Sequence, residues 1–184
     1  PEAMDKSKAR LLNNLGVNRI SLGIQSLNDN YLKFLGRKHN AKQAIDAYQV
    51  LREVGFENIN LDLMYAFPSQ SMEELRKDVD AIASLGSEHL SIYTLTIEPN
   101  SRFHAQVIKL DEEEKIADQF ILVKNMLSQY SFAQYEISNF AKEGFQSQHN
   151  RNYWLGEAYL GLGMGAHGFT GQRRYWNKSK LQEY

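Results

Sequence analysis

Apolar and polar residues change period several times along the chain, and the changes mark out a repeated helix–strand–helix unit. The clearest strand lies in Asn58–Pro68, where Ile59, Leu61, Leu63 and Met64 are interrupted by one carboxylate, Asp62, before Pro68 stops the run. Such a run predicts a parallel strand buried in a sheet, and a charge inside it needs a reason. A helix is predicted on each side. Asn40 with Gln43 is a capping-box pattern opening a stripe of Ala44, Tyr48 and Leu51 that ends at Gly55, and Ser71 with Glu74 opens a second stripe of Leu75, Val79 and Ile82 up to Gly86.

The same unit recurs before and after. Glu2 to Leu15 reads as a helix closed by Gly16, and Val17 to Gly23 as a strand in which Val17, Arg19, Ser21 and Gly23 alternate with Asn18, Ile20 and Leu22. A short helix from Asn30 to Leu35 and a basic turn, Arg37-Lys38-His39, follow. His89 to Leu95 is the third strand. Strand ends about thirty to forty residues apart have the spacing of βαβ units, so the expectation is an α/β chain with a parallel sheet. The pattern then changes: a turn at Glu98–Ser101, a helix capped by Asp111 and Glu114 with Ile116, Phe120, Val123 and Leu127 on its stripe, and a strand from Phe132 to Ile137. Beyond Ser138 no period is clear. The closely spaced glycines of Leu160-Gly-Leu-Gly-Met-Gly-Ala-His167 predict a tight loop or a close backbone approach.

Composition narrows the chemistry. A chain of 184 residues suits one domain and buries a sizeable core. Its net charge of −1 gives no case for nucleic acid or a membrane surface, no run is apolar for long enough to span a bilayer, and the charged start does not resemble a secretory signal, so a cytoplasmic protein is expected. There is no cysteine, which excludes disulfides and any zinc or iron–sulfur site held by thiolates of this chain. No His-Glu-x-x-His pair, serine triad signature or phosphate loop occurs, so hydrolase and kinase readings have little support.

Candidate site residues fall where parallel sheets bind ligands, outside the carboxyl ends of the strands. Gln25, Asp62 and Thr96 all lie at or just beyond the carboxyl halves of the three strands. Singly, Asp62 could bind backbone amides and Gln25 could cap a turn; together the three favour a shared pocket. Arg37 reads either as part of a solvated turn or as a planar cation facing a ligand carboxylate or ribose. His149-Asn-Arg-Asn-Tyr-Trp154 is either a loop tied down by its own hydrogen bonds or a place where His149 ligates a large planar ligand. His167 reads as structural.

Several of these stretches, taken in order, resemble one family. Asn18-Arg-Ile-Ser-Leu-Gly-Ile-Gln-Ser26, Leu35-Gly-Arg37, Asn60-Leu-Asp-Leu-Met-Tyr65, Leu90-Ser-Ile-Tyr-Thr-Leu95, Tyr135-Glu-Ile-Ser-Asn-Phe-Ala141, His149-Asn-Arg-Asn-Tyr-Trp154 and Gly163-Met-Gly-Ala-His167 are similar to the HemN/HemW family of radical S-adenosylmethionine (SAM) proteins. The resemblance implies a partial TIM-like radical SAM barrel, here three βα units over residues 1–100, followed by a mixed α/β C-terminal region over 101–184. It implies SAM contacts for Gln25, Arg37, Asp62 and, by position only, Thr96. His149 would associate with haem, with Tyr153 and Trp154 stacking on a porphyrin face. The Tyr135-Glu-Ile-Ser-Asn139 and His149 segments look more like the haem chaperone branch, HemW, than like the oxygen-independent coproporphyrinogen III dehydrogenase. Those branches imply different partners: haem and a haem-acceptor protein, or a porphyrinogen.

Some family features are missing. The Cys-x3-Cys-x2-Cys motif for a [4Fe–4S] cluster, a glycine-rich segment and an acidic residue on the third barrel strand are absent, and Pro1-Glu2 resembles the stretch just after that strand. Ala66-Phe67 stands where the family favours Gly-Leu, and Gly168 where it favours Ser. The chain is therefore expected to resemble the family's C-terminal part, to lack radical activity by itself, and to self-associate through an exposed sheet edge.

Overall fold

The computed structural model describes residues 1–99, 101–106 and 108–184, which fall into two units, Pro1–Phe145 and Gln146–Tyr184. In the first unit the order is α1 (Lys6–Asn14), β1 (Ile20–Gln25), α2 (Asp29–Phe34), α3 (Ala41–Val54), β2 (Ile59–Tyr65), α4 (Met72–Ser84), β3 (His89–Thr94), α5 (Arg102–Ala105), α6 (Glu113–Gln129), β4 (Ala133–Gln134) and β5 (Asn139–Ala141). The five strands form one sheet in the order β1-β2-β3-β5-β4. The first three are parallel; β5 runs antiparallel to β3, and β4 antiparallel to β5. The expected α/β class and the three successive βα units are present.

Register sorts the strand residues into two faces. Leu22, Leu61 and Leu90 lie side by side, as do Leu63 and Ile92, and all are buried in a core shared with Ala44, Leu51, Leu75, Val79 and Ile82 of α3 and α4. On the opposite face Ser21, Asn60 and His89 form one row, and Gly23, Asp62 and Ser91 the next. The central strand is thus apolar on the helix side alone. Its near-continuous run comes from Met64 joining the polar-side row, where it pairs with Tyr93.

Three local expectations are revised. The first helix starts at Lys6, because the Asp5 side chain accepts from the Lys8 amide and fixes the N-terminus there. Asp111 does not cap α6: its carboxylate pairs with Lys115 at 2.6 Å, leaving Glu112 at the N-cap without a side-chain bond. The strand expected over Phe132–Ile137 is shorter, with β4 confined to Ala133–Gln134 and the chain turning back into β5. The turn at Glu98–Ser101 includes Asn100, which lies outside the described residues.

The amino ends of the parallel strands are tied by a half-buried ion pair. Arg52, near the end of α3, donates to Glu88 at 2.6 Å, to the Tyr48 hydroxyl at 2.8 Å and to the Phe56 carbonyl at 2.9 Å. The second oxygen of Glu88 accepts from the Ile59 amide at 3.1 Å, so one pair fixes α3 to the starts of β2 and β3. Surface pairs such as Lys42–Asp46 hold nothing comparable. Arg52→Leu is expected to destabilise the fold by about 2–3 kcal/mol, because Glu88 and the three acceptors Tyr48, Phe56 and Gly86 lose a charged donor together, whereas Lys42→Ala should cost under about 0.5 kcal/mol. Urea midpoints for the two variants measure the difference.

Candidate functional site

The site begins with a break in register. Gly23 pairs with Asp62, but the next partner of β2 is Gln25 rather than Ile24, so the strand bulges there and Gln25 adopts φ of 73°. A non-glycine residue in this region costs of order 1 kcal/mol and persists only when its surroundings hold it. Three bonds do so. Tyr93 on β3 donates to Gln25 Oε1 at 2.9 Å, while Asp78 on α4 accepts from the Ser26 hydroxyl at 2.5 Å and from the Leu27 amide at 3.2 Å. Burial pushes the Asp78 carboxyl up, and those two donors partly offset it.

Gly23 is what lets Gln25 fold back. A Cβ at Gly23 would lie 2.7 Å from Gln25 Nε2 and 3.7 Å from Asp62 Oδ2, so any side chain would displace the amide. With the Gln25 carbonyl occupied by Tyr93, its NH2 is left as a donor beside the Asp62 oxygen as an acceptor. Such a pair suits a ligand with neighbouring hydroxyl or amine and carbonyl functions.

Asp62 is partly buried, and burial raises its carboxyl above the usual range. Against this act the Asn60 amide, 2.6 Å from Oδ1, the hydroxyls of Ser21, at 3.4 Å, and of Ser91, and the positive charge of Arg19. Asn60 is itself buried between Asp62 and the buried His89, whose Nδ1 is 2.6 Å from Asn60 Oδ1 and whose Nε2 is 2.7 Å from the Tyr135 hydroxyl. Ser91 donates to Asn139 on β5 at 2.6 Å. The polar rows of the sheet are therefore one connected network.

Thr96 lies exposed just past β3 and lines a cleft of about 280 Å³ with Tyr65, Tyr93, Phe120 and Ile137. Tyr93 thus borders both the cleft and Gln25. Arg37 is exposed after α2; its charge reaches Tyr93, where it opposes the upward push of burial and of Asp62. His39 departs from the expected basic turn. It is buried, with Nε2 3.2 Å from the Ile24 carbonyl and Nδ1 3.2 Å from Glu2, and so pins the end of β1. Asn60, Asp78, His89 and Tyr93 join the site only in the fold, without a motif that marks them in the sequence. The alternation of Asn60, Asp62 and Met64 with leucines was the available signal for Asn60.

The second unit contains α7 (Gln148–Trp154), β6 (His167–Phe169), β7 (Arg174–Trp176) and a 3-10 turn, Leu181–Glu183. Ser147 caps α7 by accepting from the Asn150 amide. His149 and Tyr153 are exposed one turn apart and meet edge to face at 4.8 Å, and Tyr153 meets Tyr159 in the same way at 4.5 Å. Trp154 is also exposed, but lies roughly 140° round the helix from His149. His149 and Tyr153 therefore share a face that Trp154 does not. The glycine run is a close approach, as expected: a Cβ at Gly161 would lie 2.5 Å from the His167 carbonyl oxygen. Asn177 crosslinks the loop by donating to the carbonyls of Gly161 and Gly163, each at 2.9 Å. Leu160, Leu162 and Met164 stay exposed beside it in sequence.

Residues 1–82 match the Radical SAM superfamily. Along its whole length the chain is 38% identical to the haem chaperone HemW of Bacillus subtilis, covering 50% of that protein. It is 43% identical to the haem chaperone HemW of Escherichia coli over 83% of the chain and 40% of the relative. Radical S-adenosyl methionine domain-containing protein 1, mitochondrial, of Danio rerio is 34% identical over 91% of the chain and 39% of its own length. Among solved structures, coproporphyrinogen III oxidase (HemN) from Escherichia coli superposes with a TM-score of 0.82 at 21% identity, covering the whole chain and 46% of that protein. That likeness concerns the fold. The chain spans about half the length of the curated relatives it matches. Among the described residues no helix is long and apolar enough to cross a membrane.

The buried imidazole of His89 sets a pH dependence. Burial, then the charge of Arg19, pulls its pKa from 6.5 down to about 3. Between those values the unfolded chain binds the proton and the folded chain does not, so stability is full above pH 6.5 and declines as pH falls through the window. The raised carboxyls of Asp62 and Asp78 act in the opposite sense, taking up protons first in the folded state. From pH 6.5 to 5 the imidazole should remove about 2 kcal/mol, and His89→Leu should flatten that loss in urea titrations at the two pH values.

Proposed function

We propose that the chain, similar along its whole length to haem chaperones of the HemW type, belongs to the HemN/HemW family of radical SAM proteins and serves as a cytoplasmic haem chaperone, binding haem and passing it to an acceptor protein. What supports this reading most is the similarity along the whole chain to relatives named as haem chaperones. The geometry of α7 agrees with it. His149 is exposed, which leaves its imidazole open to an incoming haem iron, and Tyr153 braces its ring while offering an aromatic edge to a porphyrin. Trp154, on another side of the helix, would meet a porphyrin only at its rim or an acceptor.

A second ligand, SAM, is read onto the first unit. The donor of Gln25 and the acceptor of Asp62, set side by side by the bare Gly23, fit a ligand carrying hydroxyls or an amine. The cleft bordered by Tyr93 and Thr96 would take an apolar or aromatic part, and Arg37 a carboxylate. Reductive cleavage of SAM draws an electron from a [4Fe–4S] cluster. This chain has no cysteine to hold one, so its own residues bind and orient SAM without cleaving it. The open edge of β1, paired only with β2 among the described residues, is where the sheet would extend to a second copy.

A haem titration followed in the Soret region, beside His149→Ala, tests the chaperone reading. Saturable binding is expected, weakened on the order of tenfold, about 1.4 kcal/mol, by the substitution. A folded sample that binds no haem, or binds it equally well without His149, would sink it. The dehydrogenase alternative then gains, to be judged by porphyrinogen decarboxylation when the chain is joined to a cluster-bearing half.

A further inference from the structure

We propose that Tyr135, His89 and Asn60 form a one-way hydrogen-bond relay that orients the Asp62 carboxylate, which makes His89 and Tyr135 positioning residues for the ligand that Asp62 holds. The inference rests on reading Asp62 as a ligand-binding carboxylate, and its direction follows link by link from the geometry.

An ionised carboxylate only accepts hydrogen bonds, so the end of Asn60 lying 2.6 Å from Asp62 Oδ1 must be its NH2. The same group donates to Ser21 Oγ at 2.7 Å, and the reversed amide would set its oxygen against the carboxylate. With its amide so fixed, Asn60 presents its carbonyl to His89 Nδ1 at 2.6 Å, and that nitrogen must carry the proton. In the neutral ring Nε2 is then bare, and it accepts from the Tyr135 hydroxyl 2.7 Å away. A second proton on the ring is opposed by burial and by Arg19. Every donor therefore points toward Asp62.

The relay has two consequences. Asp62 Oδ1 is engaged from within the sheet, which turns Oδ2 toward Gly23 and the amide of Gln25. A residue of the segment leading into β5, 73 positions later in the chain, sets the state of that carboxylate. Ser91, held between Asn60 at 3.1 Å and Asn139 at 2.6 Å, ties the same segment to the network a second time.

Long-range proton–nitrogen NMR of the chain at pH 7 reads the tautomer, carbon-13 NMR of Asp62 reads its titration, and calorimetry reads SAM affinity. A protonated Nδ1 and a bare Nε2 are expected at His89, with that preference relaxed in Tyr135→Phe. In His89→Leu the Asp62 titration should move to higher pH and SAM affinity fall about 2- to 10-fold, the effect of one hydrogen bond. His89→Asn, whose amide can replace the Nδ1–H donor, should restore both. A proton on Nε2, or Asp62 titrating alike in the native chain and His89→Leu, would overturn the relay. Failure of the native chain to bind SAM would instead overturn the ligand reading, and the two NMR readouts would still decide the relay.

Discussion

The parallel register of β1, β2 and β3 is the constraint on which the first unit depends. Because side chains alternate between faces, aligning Leu22, Leu61 and Leu90 against the helices also aligns Ser21, Asn60 and His89, then Gly23, Asp62 and Ser91, on the opposite face. A slip by one residue would bury Asp62 among leucines and turn Leu61 toward the site. Hydrophobic burial on one side thus specifies the chemistry on the other. At roughly 1.5–3 kcal/mol for each buried leucine, the apolar rows outweigh the cost of holding the polar ones partly out of water.

The bulge at Gln25 is the one place where the sheet leaves this register, and it does so at the carboxyl end, where a ligand would approach. Its positive φ is sustained by Tyr93 from one neighbouring element and Asp78 from another. Backbone strain held from two sides marks a built position more than a tolerated accident. The bulge also gives the bare Gly23 a use, since the returning Gln25 amide occupies the space of a Cβ and would have to shift to admit one.

Much of this was legible in the sequence. The capping boxes at Asn40–Gln43 and Ser71–Glu74 form as read, because both partners lie within one turn of chain. The three parallel strands lie where the sequence pattern places them, whereas β5, β6 and β7 carry no such pattern. What sequence could not give was the company that Asp62 keeps: His89 and Tyr135 come from positions 27 and 73 residues away, brought in by register and by the antiparallel return of β5. His39 was misplaced for a similar reason, since a histidine beside Arg37 and Lys38 looks solvated until the Ile24 carbonyl is seen against it. In the second unit the missing period reflects short strands and a glycine loop stitched by Asn177, features that leave no hydrophobic rhythm.

The two ends of the parallel strands divide the work. At the amino ends Arg52 and Glu88 satisfy each other and nearby backbone groups, so their charges stabilise the fold and face no open site. Towards the carboxyl ends the polar groups are less fully engaged: Asp62, midway along β2, has Oδ1 held by Asn60, and Gln25 has its carbonyl held by Tyr93 and its NH2 left as a donor. A carboxylate raised by burial is costly in the sheet, and a ligand donating to Oδ2 would relieve that cost. On the proposed reading, the network would hold that charge in the orientation from which such binding gains the most.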